Sequence, residues 1–248
     1  MHIIERGKAL LRLASRHPQA VIALRRWRPF SITSYEMAHA LRAQGIKPAT
    51  VIDAGANIGQ FARAMAETFP SAEVLSFEPL PTAAERFRAN LGDHPRVRLF
   101  EMAVGNRDGQ TPFHPQAYDL ASSVLPHVPS LKGVSAPKPI SVAITRLDAI
   151  FEDRDLAGPV MLKLDLQGYE LEALRGARDL LQRVRWVLLE TGFRQNYVGE
   201  PLFEEIFDFL RDHGFRFLRP VDTLRGEHSE IVQMDALFER DGDPTRGG

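Results

Sequence analysis

The 248-residue chain reads as an α/β protein, a mostly parallel sheet with helices on both faces and further helices at the N-terminus. Three observations predict this. From residue 50 onward, apolar runs of strand length alternate with segments of helical spacing. The first run, Val51-Ile52-Asp53-Ala54, passes straight into a small-residue turn, Gly55-Ala56-Asn57-Ile58-Gly59, and then into a helix. The second run ends on a carboxylate in Ser76-Phe77-Glu78-Pro79. Strand, turn, helix and strand in this order place any ligand beyond the carboxyl ends of the strands.

The elements follow in chain order. Residues 3–27 carry apolar positions at helical spacing, with Pro18 expected to split them into two helices. Before residue 30, seven cations, Arg6, Lys8, Arg12, Arg16, Arg25, Arg26 and Arg28, are opposed only by Glu5. Such a segment can rest on an anionic membrane surface, or it can pack on the core or a second subunit with its arginines solvated. The break at Pro18 favours packing. A helix from Tyr35 to Gly45 comes next, with Gly45 as its C-terminal cap and Pro48 beyond. Strands are predicted near 50–54, 74–78, 97–102, 160–165 and 185–190, and helices near 59–68, 82–91, 169–182 and 202–213. Phe215 to Leu218 and Ile231 to Glu239 supply two last strands as an antiparallel edge pair. Residues 106–144 break the rhythm, being rich in Pro, Ser and Gly with strand-like pieces near 110–114 and 139–145. They read as an insertion or lid. The predicted organisation is a helical segment 1–48, a ligand-binding domain 49–240 and a disordered tail 241–248.

Composition narrows the function. A hydrophobic fraction of 44% and a charged fraction of 25% allow a sizeable core in a soluble protein. A net charge of −1 gives no case for nucleic-acid binding. The chain has no cysteine, which excludes disulfides, thiolate zinc sites and cysteine nucleophiles and agrees with a cytoplasmic location. No apolar run reaches the roughly 20 residues of a membrane span, and the N-terminus lacks the apolar core of a signal peptide.

The turn and Glu78 carry the chemistry. Small residues let the backbone approach a ligand, and the first-turn N–H groups of the helix can bind it. A carboxylate ending the second strand can accept two hydrogen bonds from a ribose diol, and Pro79 keeps that end extended. The spacing of Gly55, Asn57 and Gly59 is not the G-x-G-x-x-G of nicotinamide-binding turns. The order Asp-x-Gly-x-(Gly/Asn)-x-Gly is that used by S-adenosylmethionine (AdoMet) methyltransferases. Asn57 can stand for a glycine because asparagine visits positive φ more readily than most residues. An ordinary tight turn is the alternative, and Glu78 tips the balance towards a cofactor site.

Four segments together resemble the FkbM family of AdoMet-dependent methyltransferases: VIDAGANIGQFA (51–62), SFEP (76–79), AVGNRDG (103–109) and LKLDLQGYELEALRGA (162–177). Smaller echoes are Ser122-Ser123, Thr145-Arg146-Leu147-Asp148, and Tyr197 followed by PLFEEI (201–206). The likeness runs over about residues 35–220. It implies the class I methyltransferase fold with a seven-stranded, Rossmann-like sheet, AdoMet as cofactor, and O-methylation of a sugar, glycan or secondary metabolite.

Carried over residue by residue, the resemblance puts Asp53, Gly55, Ala56, Asn57, Gly59 and Phe61 around the cofactor's amino-acid part. Glu78 and Pro79 then lie at its ribose, and Met102 and Ala103, ending the third strand, at its adenine. Asp165 ends the fourth strand, facing the sulfonium and the acceptor or accepting backbone N–H bonds in the turn at Gln167 and Gly168. Glu190 ends the fifth strand. Asp165 and Glu190 are the candidate bases; His114 and His127 are weaker ones. Ser122, Ser123, Gln167 and Tyr197 are candidate substrate contacts. No dense carboxylate cluster calls for a metal, although Asp165 and Glu190 could share a magnesium ion. A non-catalytic AdoMet-binding scaffold and a nicotinamide-dependent oxidoreductase are the rival readings. The expected partners are a small-molecule or glycan acceptor and a second copy of the chain.

Overall fold

The structure, a computed structural model, describes residues 20–115, 122–126 and 138–242. Pro18, His127 and the tail from 243 lie outside the described residues.

Helix α1 (Ala20–Arg26) and helix α2 (Ile32–Ala43) open the chain. Ser31 caps α2 by accepting the Ser34 N–H at 3.2 Å, so the helix starts three residues before Tyr35. Ala20, Ala23 and Tyr35 form a small cluster with Trp27 and Phe30, while Val21, Ile22 and Leu24 are exposed beside Arg25 and Arg26.

The main sheet contains β1 (Thr50–Ala54), β2 (Glu73–Phe77), β3 (Val97–Phe100), β7 (Val160–Leu164), β8 (Val184–Gly192), β9 (Phe215–Arg225) and β10 (Ile231–Arg240), in the order β3-β2-β1-β7-β8-β10-β9. Pairs from β3 to β8 are parallel; β10 runs antiparallel to both β8 and β9. β1 and β7 are buried throughout, which is why they read as unbroken apolar runs.

Helices cover both faces. On one lie α2, α3 (Gln60–Thr68) and α4 (Pro81–Leu91), packed through Met37, Leu41, Met65 and Phe87 with Val51 and Met161 from the sheet. On the other lie α5 (Leu147–Phe151), α6 (Glu170–Arg175), α7 (Arg178–Leu181) and α8 (Phe203–Asp212), whose Leu174, Leu181 and Leu210 meet Ile52, Leu162 and Phe238. Each such fully buried side chain contributes about 1.5–3 kcal/mol.

Four expectations change. The third strand ends at Phe100, and the chain restarts as β4 (Ala103–Val104) in a second sheet of order β4-β6-β5, with β5 at Gly109–Phe113 and β6 at Ile140–Thr145. The strand-like pieces expected near 110–114 and 139–145 are β5 and β6. The helix expected over 169–182 breaks at Gly176, where a Cβ would stand 1.9 Å from the Gly105 carbonyl oxygen, so this crossing of two chain segments admits glycine alone. α5 was not foreseen because five residues are too few for a periodic signal. β9 continues to Arg225, past Leu218, where Arg219, Pro220 and Asp222 interrupt the apolar run and hide the strand in the sequence. Among the described residues no helix is long and apolar enough to cross a membrane.

Candidate active site

β1 leads to one half of the sheet and β7 to the other, so the strand order reverses between them. At their carboxyl ends lies a cavity of about 330 Å³. A crevice is expected at such a switch point.

The first wall is the turn after β1. Gly55, Asn57 and Gly59 have φ of 84°, 48° and 93°. The glycines serve the protein's own packing more than close approach of a ligand. A Cβ on Gly55 would stand 1.8 Å from the Asp165 carbonyl oxygen, and one on Gly59 would stand 2.5 Å from Leu91 and 3.1 Å from Phe87. α3 begins right after this turn, with Gln60 and Phe61 on the cavity wall. Its first-turn N–H groups have no acceptor within the helix.

Glu78 follows β2 and closes this wall. Its Oε2 accepts the Asn57 N–H and its Oε1 the Leu80 N–H, both at 2.8 Å. Burial pushes this carboxyl up to about 7 against those two hydrogen bonds. Each oxygen keeps a lone pair for a ligand hydroxyl. Pro79, Met102, Ala103, Phe113 and Tyr169 continue the wall with largely apolar surface. Met102 reaches it from the link between the two sheets and Ala103 from the start of β4, not from the end of β3.

The floor is ionic. Lys163 of β7 lies 3.2 Å from Asp53 Oδ1 and 3.4 Å from Asp165 Oδ2. Burial alone would lower the ammonium pKa, but Asp165 and Asp53 carry it above the ordinary lysine value. Asp53 is fully buried, also accepts from Ser76 Oγ at 3.4 Å, and is pushed up by burial against the pull of Lys163. Its side chain is thus engaged by Lys163 and Ser76, and it is not among the residues that line the cavity.

The turn after β7 is held by a residue that the sequence reading missed. Glu170 Oε1 accepts the N–H groups of Leu166 at 2.7 Å and Gly168 at 3.3 Å, the role considered for Asp165. Asp165 is left facing the cavity. Gln167, at φ 54°, donates from Nε2 to Asp165 Oδ1 and Glu190 Oε1, both at 2.9 Å, and accepts from the Tyr197 hydroxyl at 2.7 Å. Burial, then Asp165, Glu170 and Asp235, push the Glu190 carboxyl well above its usual range.

Of the sequence candidates, Gly55, Ala56, Asn57, Phe61, Glu78, Pro79, Met102, Ala103, Ser122, Asp165, Gln167 and Glu190 come together on the cavity wall. Asp53, Gly59, Ser123 and Tyr197 do not. Ser123 is buried and ties its segment to the turn, its Oγ donating to the Gln167 carbonyl at 2.7 Å. Tyr197 stands behind Gln167 as its support. His114 pairs through its backbone with Ser123, off the wall. Lys163 and Asp235 were missed, yet Lys163 is the one charge of β7 and Asp235 interrupts the apolar stretch MDALF of β10, which is the signal of a buried site.

Sheet order, antiparallel β10 and a cavity at the switch point define a class I methyltransferase fold. The Methyltransferase FkbM domain matches residues 53–217, and the chain belongs to that family. Over 170 residues it is 34% identical to 2-O-methyltransferase NoeI of Sinorhizobium fredii, covering 64% of this chain and 70% of that one. It is 29% identical over 220 residues to the 31-O-demethyl-FK506 methyltransferase FkbM of Streptomyces tacrolimicus (77% and 82% covered). It is 30% identical over 139 residues to the hexuronic acid methyltransferase AglP of Haloferax volcanii (56% and 54% covered).

Proposed function

We propose that the protein is an AdoMet-dependent O-methyltransferase acting on a hydroxyl of a sugar, glycan or secondary metabolite. One observation carries the reading: Glu78 at one end of the cavity and Asp165 with Glu190 at the other share a single wall. The residues present fit AdoMet. Glu78 would take the ribose hydroxyls, Met102, Ala103 and Phe113 would flank the base, and the acidic floor with the α3 N-terminus would hold the charged amino-acid end. When bound, AdoMet supplies an electrophilic methyl carbon and leaves as a neutral thioether.

The chain's own task is to align an acceptor hydroxyl and remove its proton. Positioning of this kind contributes ~7–11 kcal/mol. Glu190 is the favoured base. Its carboxyl is desolvated and raised in pKa, so it binds a proton strongly, whereas Asp165 is tied to Lys163. Gln167 fixes both carboxylates, and Tyr197 fixes Gln167.

Calorimetry should detect AdoMet and its demethylated product but not NAD, with Glu78→Ala losing about 1.5–3 kcal/mol of binding. Glu190→Gln should keep AdoMet affinity while turnover drops by about 10²–10⁴. Tight NAD binding would overturn the cofactor reading, and near-normal turnover in Glu190→Gln would remove Glu190 as the base.

A further inference from the structure

The strand register brings one more carboxylate to the acceptor end of the cavity. Asp235 of β10 lies directly across from Glu190 of β8, and both line the wall. Residues opposite one another in an antiparallel pair point to the same face, with Cα atoms about 4.5–5.5 Å apart. Two carboxyl groups are therefore presented side by side, a spacing that suits two adjacent oxygens of one acceptor.

The charges around this pair are unbalanced. Asp235 faces Asp222 on its other side, across the ladder to β9. Among the described residues that line the cavity, Lys163 is the single cation, and Asp53 and Asp165 already engage it. Glu78, Asp165, Glu190 and Asp235 stand against it on the same wall. An acceptor that brings its own negative charge finds no partner here.

We propose that Asp235 and Glu190 together form the acceptor subsite, that they grip two adjacent hydroxyls of an uncharged sugar-like polyol, and that they turn away acceptors bearing a carboxylate, sulfate or phosphate. The proposal rests on the methyltransferase reading of the cavity and adds the acceptor class to it. Burial, then Asp165, pushes the Asp235 carboxyl up to about 7 against the pull of Lys163, and Glu190 is raised beside it. Two carboxyl groups side by side resist losing both protons, so one is ionised while the other keeps its proton. The ionised member takes the proton of the reacting hydroxyl as the oxygen lone pair forms the new C–O bond, and the C–S bonding pair leaves with sulfur. The protonated member donates to the adjacent hydroxyl and fixes which oxygen is presented. Asp235 is thus a specificity-determining residue and Glu190 the base.

The test uses the full chain, methyl-labelled AdoMet and an array of neutral glycans, their uronate counterparts and deoxy analogues lacking the hydroxyl next to the labelled one. Neutral diols should be labelled at least about 100-fold better than uronates, as like-charge juxtaposition requires. They should be labelled about 2–12-fold better than the deoxy analogues, the worth of one hydrogen bond between neutral groups. Asp235→Asn should still bind AdoMet and should narrow the neutral-to-uronate ratio at least about tenfold, because the negative charge that the pair shares no longer extends to position 235. A merely structural aspartate would leave that ratio in place. Equal or better labelling of uronates overturns the proposal and leaves the methyltransferase reading intact. So does an array on which no neutral diol is labelled by protein that binds AdoMet. Failure to bind AdoMet overturns the underlying reading. The wild-type comparison stands even if the variant does not fold.

Discussion

Replacing Lys163 with methionine tests the ionic floor that supports the site. The ammonium is 7% exposed and pairs with Asp53, which is 0% exposed. Methionine fills similar space but leaves Asp53 buried without its counterion. Breaking a buried pair in this way costs about 3–5 kcal/mol. For a chain of this size each kcal/mol lowers Tm by about 2–4 °C, so a fall of roughly 6–20 °C is expected. The loss should depend on pH with a definite sign. Lys163 is the main group opposing the burial that raises Asp53, so its removal lifts the folded-state pKa of Asp53 further above the unfolded value. A carboxyl raised in the folded state binds its proton more tightly there than in the unfolded chain, and stability then falls as pH rises. Urea unfolding of wild type and Lys163→Met should show the larger deficit at about pH 8 and the smaller at about pH 5. Adding Asp53→Asn should restore most of the loss, since a neutral amide needs no counterion. A deficit below about 1 kcal/mol, equal at both pH values and unaffected by Asp53→Asn, would refute the argument.

Other outcomes follow from the same wall. Gly55→Ala forces a Cβ to within 1.8 Å of the Asp165 carbonyl oxygen at φ 84°; it should cost more than the roughly 1–2 kcal/mol of the φ strain alone, read by urea unfolding. Tyr197→Phe removes the hydrogen bond that steadies Gln167, and kcat should fall by about 2–12-fold while AdoMet affinity, followed by calorimetry, is unchanged. Burial raises Glu78 and Asp235 to about 7 and Glu170 to about 8, so the stability they contribute is full below their unfolded pKa values and is lost as pH rises through 7 to 8. The urea midpoint of the wild type should thus rise on going from about pH 8 to about pH 5.5, and Glu170→Gln should flatten part of that slope.

The sequence by itself determined the strand–turn–helix at residues 51–68, the carboxylate ending the second strand and the antiparallel pair at the end of the sheet. It could do so because fully buried parallel strands are continuous apolar runs, and because positive φ restricts a turn to glycine and asparagine. The FkbM likeness rested on the same local signals. Tertiary structure alone decided which charges work together. Asp53 and Asp165 each close an apolar run and look alike in sequence; Lys163 of β7 pairs with both, yet only Asp165 lines the cavity while Asp53 is fully buried. Gly55 and Gly176 look like freedom for a ligand or a helix, but contacts with distant backbone at Asp165 and Gly105 demand them. Glu190 and Asp235, far apart in the chain, become one pair through strand register, which side-chain periodicity constrains only to a face and which packing of the whole sheet must fix.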